Sequence, residues 1–249
     1  GTTVAGSCID VPPGSVSFFD VGVTPAGAAT FTAMEMNVTG GIATIANGST
    51  LTVNGPVVIC PDTGTDPMAV AELHIIGSTL NANSLTICPG GVLTVASEIN
   101  LKGDFSIGMT DGATGRWSWG PGSTLSMLGP PPVGLPFMVY PFPVYLEAPS
   151  TDNGPGAASG VNNFKFANIT VAPGVRLQLV DHVANGNSGL RESIYCDSLS
   201  LGANAVLNLN GVKLYVNGVA IGPGNPNHGG RIVDRAGRIP APTTATPTE

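Results

Sequence analysis

The sequence predicts an all-β fold in which the backbone coils into a parallel β-solenoid. Three observations carry this expectation. A strand–turn–strand template recurs five times along the chain. Gly (35) and Pro (22) fall between short runs of Val, Ile and Leu, which is the composition of many tight turns joining short strands. No stretch of helical period and useful length competes with the strand pattern.

The template starts at Ala43, Leu85, Trp117, Ile169 and Leu199. Offsets 0, 2, 8 and 10 are apolar in each copy: Ala43, Ile45, Leu51 and Val53; Leu85, Ile87, Leu93 and Val95; Trp117, Trp119, Leu125 and Met127; Ile169, Val171, Leu177 and Leu179; Leu199, Leu201, Leu207 and Leu209. Offset 1 is a hydroxyl residue (Thr44, Thr86, Ser118, Thr170, Ser200), and offset 5 is Gly48, Gly90, Gly122, Gly174 or Asn204. Period-two alternation puts the apolar side chains on one face of a strand and the hydroxyls on the other. Gly and Asn accept positive φ, so offset 5 predicts a sharp turn. The starts lie 42, 32, 52 and 30 residues apart. Coils of roughly thirty residues with loop excursions give that spacing.

The run Leu199-Ser200-Leu201-Gly202-Ala203-Asn204-Ala205-Val206-Leu207-Asn208-Leu209-Asn210-Gly211, continuing through Leu214-Tyr215-Val216-Asn217-Gly218, resembles the coils of secreted bacterial right-handed β-helix proteins of the pectin-lyase-like type. The likeness covers residues 36–222. It implies a right-handed parallel β-helix. Enzymes, adhesins and surface-layer proteins share this pattern, so function has to come from a site.

Along the chain, residues 1–30 are Gly/Pro-rich around Val16-Ser17-Phe18-Phe19 and are expected to cap the N-terminal coil. Residues 31–222 form the solenoid. A Pro- and aromatic-rich excursion at 129–163 interrupts it; proline cannot donate into a central ladder, which places this stretch outside the sheets. Its greasy part carries Phe137, Tyr140, Phe142 and Tyr145. It either packs on its own solenoid or docks as an arm on a neighbour. Residues 223–249 are expected to be an extended tail.

Charge is sparse and polarised. Only 10% of residues are charged, and the net charge is −7 from 9 basic and 16 acidic residues. No Lys or Arg precedes Lys102, whereas Asp10, Asp20, Glu35, Asp62, Asp66, Glu72 and Glu98 do. Arg231, Arg235 and Arg238 cluster near the other end. An acidic chain without a basic face is a poor nucleic-acid binder. No apolar run reaches the length of a membrane-spanning helix. Gly1 is read as a processed mature N-terminus or as the product of trimming. Four cysteines and little lysine suit an oxidising, extracellular setting. Asn37, Asn47 and Asn168 open N-x-Ser/Thr sequons and are glycosylation candidates.

The cysteines have an internal logic. Val58-Ile59-Cys60-Pro61 is repeated as Thr86-Ile87-Cys88-Pro89, about one coil later. Strands stacked about 4.8 Å apart bring such residues into disulfide range, which predicts a Cys60–Cys88 bond. Cys8 and Cys196 remain near opposite ends. Either a terminal segment doubles back to join them, or they bond between molecules, or they are free.

Catalytic chemistry finds little support. The Asn-Thr-Asp, Asp-Asp and Gly-His-Gly segments of pectin-hydrolysing β-helices are missing. Asn227-His228-Gly229-Gly230 and Arg231-Ile232 are the nearest echoes, and no Asp pair accompanies them. The Asp62–Asp66 loop reads as a solvated turn rather than a Ca²⁺ site. His74, His182 and His228 lack zinc spacing. Trp117 and Trp119 share one face and read as core rather than as a sugar platform. The expectation is a non-catalytic extracellular or cell-surface structural protein without cofactor or metal. Its partners would be copies of itself, in a filament with head-to-tail contacts. The assembly candidates are Arg231, Arg235, Arg238, Phe137, Tyr140, Phe142 and Tyr145. The alternative is a protein that binds or processes extracellular polysaccharide.

Overall fold

A computed structural model of the chain describes residues 8–12, 16–19, 30–64, 70–108, 116–130, 142–155, 164–183, 192–224 and 230–235, with only the backbone of 16–19. The described residues are all-β, without a helix, and form one curled, mixed sheet of twenty strands. In chain order these are β1 (Cys8–Val11), β2 (Val16–Phe19), β3 (Thr30–Ala33), β4 (Glu35–Val38), β5 (Ile42–Ala46), β6 (Thr50–Ile59) and β7 (Ala71–Ile87). There follow β8 (Gly91–Leu101), β9 (Phe105–Ile107), β10 (Trp117–Trp119), β11 (Thr124–Met127), β12 (Val144–Glu147) and β13 (Ser150–Thr151). The last are β14 (Lys165–Val171), β15 (Arg176–Val180), β16 (Glu192–Leu201), β17 (Val206–Asn208), β18 (Lys213–Val216), β19 (Val219–Ile221) and β20 (Arg231–Val233).

Nearly all neighbours are parallel, and the pairings sort into three ladders. The first runs β2–β5–β7–β8–β10 and resumes in β14, β16 and β18. The second runs β3–β6–β7–β8–β11–β14–β16. The third runs β1–β4–β6–β7–β9–β12–β15–β17–β20. The long strands pass from one ladder to the next across register shifts at Val53/Pro56 and Ile76/Thr79. Two pairings, β13–β16 and β18–β19, are antiparallel. They depart from an all-parallel expectation: β18–β19 is a hairpin turned at Asn217 and Gly218, whereas β13–β16 joins strands distant in sequence, Thr151 beside Glu192.

The apolar offsets of the template point into one continuous core, and all of them except Trp117 and Trp119 are buried. The two tryptophans are half-buried against the same core. The hydroxyl at offset 1 is half-buried or exposed in every copy. All five turn residues hold positive φ, from 60° at Asn204 to 85° at Gly90. The template marks a tight corner, as the turn residue at offset 5 predicts, but its copies do not all mark the same corner. Gly48 and Gly122 turn the chain from the first ladder to the second, Gly174 and Asn204 from the second to the third, and Gly90 from the third back to the first. Stacked partners are 19 residues apart at Asn81/Asn100, 29 at Thr52/Asn81 and 30 at Asn168/Ser198.

Strands also occur in the three segments outside the expected coils. The cap at 1–30 contributes β1 and β2 as ordinary parallel strands. The excursion at 129–163 contains β12, which joins the third ladder, because Val144-Tyr145-Leu146-Glu147 follows the last proline of the Pro-rich run and alternates. The tail contains β20, whose Ile232 is buried against the third ladder.

Cys60 and Cys88 form a disulfide between adjacent rungs, with Cα atoms 4.8 Å apart and a sequence separation of 28. Closing a loop of that size removes about 3–4 kcal/mol of denatured-state entropy on the chain-entropy model. Replacing both cysteines by serine is expected to lower the unfolding free energy by about 2–4 kcal/mol in urea titrations while circular dichroism keeps its β signature.

Candidate functional site

The residues singled out in the sequence are scattered rather than gathered into one cleft. Cys8 and Cys196 are free thiols, the first exposed on β1, the second buried on β16. A bond between them is not made. The Cys8 thiol is pushed up to about 12 by hydrogen bonding to Glu35, with burial and Asp10 adding to the effect. It is therefore a poor thiolate and a slow partner for oxidation. Cys196 is pushed up to about 12 by burial. Asn47 is exposed on its turn. Asn37 donates to Asp10, and Asn168 donates to the Ser123 carbonyl while accepting from Ser198, so both amides are committed to ladder contacts. Phe142 is 77% exposed. Tyr145 is half-buried, and its backbone N–H is bound by Asp104. Phe137, Tyr140, Arg238, Asp66 and His228 lie outside the described residues. Asp62 caps a turn by accepting from the Gly64 N–H. His74 sits in a row with Thr44 and Thr94 and contacts Glu72 at 2.8 Å.

One cluster escapes sequence reading. Glu147 ends β12, Asp181 follows β15, and Glu192 opens β16; their carboxylate oxygens all lie within 4.8 Å of one another. Ladder pairing of Glu147 with Val180 makes the first contact, and the Thr151–Glu192 pairing makes the second. Nothing in the local sequence around any of the three announces it. Glu147 and Glu192 are buried, whereas Asp181 is exposed. Glu147 accepts from the backbone N–H groups of His182 (2.7 Å) and Val183 (2.9 Å). Burial nevertheless raises its pKa, with Asp181 adding a smaller push in the same direction, against those two bonds. Crowded carboxylates of this kind hold a proton or a cation between them.

The outer face of the second ladder is a polar row. Asn100 donates to Asn81 (3.0 Å), and Asn81 donates to Thr52 (3.3 Å). Beside it lies a groove of about 170 Å³, lined by Val53, Ala82, Lys102 and Leu128 with that row. This is well below the roughly 300–1,000 Å³ of small-molecule pockets. The first ladder has an aromatic seam where β10 and β14 meet. There the indole N–H of Trp117 donates to the Lys165 carbonyl (3.2 Å), and Trp117 packs edge-on against Phe164 and Phe166.

Charge marks the ends of the third ladder. β1 and β4 present Asp10 and Glu35, both exposed. At the other end Arg231 and Arg235 are exposed. Arg176 lies two strands inward of Arg231, each paired with Val206; its side chain is buried and, among the described residues, its Nε has no acceptor. Burial, then the charge of Arg231, lowers its pKa. Arg176 was not legible as part of this end, because the sequence places it 55 residues upstream of Arg231. In comparisons with protein families, curated proteins and solved structures, the chain matches none.

Two outcomes follow. Because its folded pKa is raised, Glu147 holds a proton more tightly in the folded chain than in the unfolded one, so it costs stability as pH rises above about 4.5. Glu147→Gln keeps an acceptor for both N–H groups and removes that cost. The variant is expected to unfold at higher urea than the native chain at pH 7, the gap closing toward pH 4.5. Trp117→Phe loses the bond to Lys165 and part of the ring area packed against Phe164 and Phe166, and is expected to cost about 2–3 kcal/mol in the same titration.

Proposed function

We propose that the chain is a non-catalytic structural protein of the cell surface or extracellular matrix. In this reading it is a right-handed parallel β-helix that associates head to tail. The three parallel ladders around one core support the β-helix, as does a positive-φ residue at each template corner. A disulfide favours an oxidising compartment. The observation that carries the assembly is the polarity of the third ladder, whose first strands present acids and whose last present arginines. Unlike ends attract and like ends repel, which favours one relative direction of neighbouring copies. A contact of that kind is heterologous and propagates in a line unless its rotation closes a ring.

Negative-stain images and sedimentation of the full chain at low ionic strength test this directly. Linear assemblies are expected, shortening as salt rises from about 10 mM to 500 mM because exposed charges are screened. Arg231→Glu combined with Arg235→Glu is expected to reduce assembly at least tenfold without changing the circular dichroism. A native chain that stays monomeric at high concentration in low salt overturns the reading.

A further inference from the structure

We propose that the third ladder continues from one copy into the next, with β20 pairing in parallel with β1 of the following copy, Ile232 beside its Val11 and Arg231 beside its Asp10. This inference rests on the head-to-tail reading and names the surfaces and register that would carry it.

Among the described residues β1 is paired on one side only, with β4, and β20 on one side only, with β17. Each therefore presents a row of backbone groups able to accept another strand. Side-chain parity limits how they join. Ile232 is 2% exposed and Val11 is fully buried, both facing the core, whereas Arg231 and Asp10 are exposed on the outer face. A slip of one residue would turn every apolar side chain outward, so only registers of matching parity survive. Two remain. Ile232 beside Ile9 places Arg231 against the neutral Cys8 thiol and Val233 against Asp10, so neither charge has an unlike charge directly opposite. Ile232 beside Val11 places the Arg231 guanidinium directly beside the Asp10 carboxylate. Unlike charges directly opposite each other on one sheet face favour the pair, and the first register offers none, so charge selects the second register.

The surroundings reinforce this choice. Among the described residues the donors to Asp10 are neutral, Asn37 at 3.4 Å and the Cys8 thiol at 3.3 Å. Glu35, beside Cys8 on the next rung, adds a second negative charge. Behind Arg231 the buried Arg176 adds positive charge. The ends also step by the same height. β1 stands one rung ahead of β2, the opening strand of the first ladder, because β1 pairs with β4 and β4 belongs to the same turn of chain as β2. At the other end β19 stands one rung beyond β18. Joining β20 to β1 therefore brings β19 against β2, each of which is paired on one side only among the described residues.

The test is a charge swap in the full chain. Asp10→Arg and Arg231→Asp are made singly and together, and assembly is read by sedimentation and negative stain at low salt. Both residues are exposed, and circular dichroism checks that each variant folds. Each single change is expected to weaken assembly at least tenfold, and the double change to restore it. In a Cys8→Ser background, mixing Asp10→Cys with Arg231→Cys is expected to give a disulfide-linked pair that neither forms alone with itself to the same extent. If the native chain assembles and the single swaps have no effect, or the double is no better than the singles, the register is wrong while the head-to-tail reading stands. If the native chain does not assemble at all, both fall.

Discussion

The rung-to-rung hydrogen bond is the constraint on which everything else in this protein depends. A parallel strand leaves half of its backbone groups for the strand on either side, and buried groups without partners are costly. Stacking the rungs satisfies them without any help from side chains. The side chains are then free to be small, branched and apolar inside, and uncharged outside. That is why a chain with 10% charged residues forms an ordered sheet. It also explains why corners matter more than strands. At Gly48 the corner N–H donates to the Gly77 carbonyl on the next rung, and at Gly174 to the Ala203 carbonyl. The corners are part of the ladder.

Interior packing follows from this regularity. Leu51, Leu80, Ile99, Leu125, Ile169 and Leu199 lie in one line along the second ladder, each on its own rung and each buried. Truncating such a side chain loses contacts to the rungs on both sides. The aromatic seam is the exception. Between β10 and β14 the ladder bonds give way to a side-chain N–H and a group of rings, with Phe105 and Trp119 joining Trp117, Phe164 and Phe166. Ring area there does what rung pairing does elsewhere.

Much of the fold was legible because two local rules, alternation and positive φ, are written into every corner. Thr44, Gly48 and Leu51 could be placed without any knowledge of their neighbours. The ladder to which each corner belongs was not legible, because Gly48 and Gly90 look alike in sequence and turn the chain onto different ladders. The disulfide was readable because Cys60 and Cys88 stand in copies of one tetrapeptide. The Glu147, Asp181 and Glu192 cluster was not, because its members meet only through register, across strands whose own patterns say nothing about acids. β20 was missed for a related reason. Three residues beyond a Gly/Pro-rich stretch carry no visible period, and only the third ladder beneath them makes Ile232 a core residue.

The staple between Cys60 and Cys88 also has a mechanical meaning. A load applied to the two ends of the chain would peel rungs in turn, and each freed residue would lengthen the chain by roughly 3.3–3.6 Å. The 28-residue separation across the bond is withheld from that extension. An oxidised chain therefore stops short of a reduced one by on the order of 90–100 Å when fully drawn out. The crosslink sits toward the acidic end, so what it limits is how far that end can be pulled away from the rungs that follow.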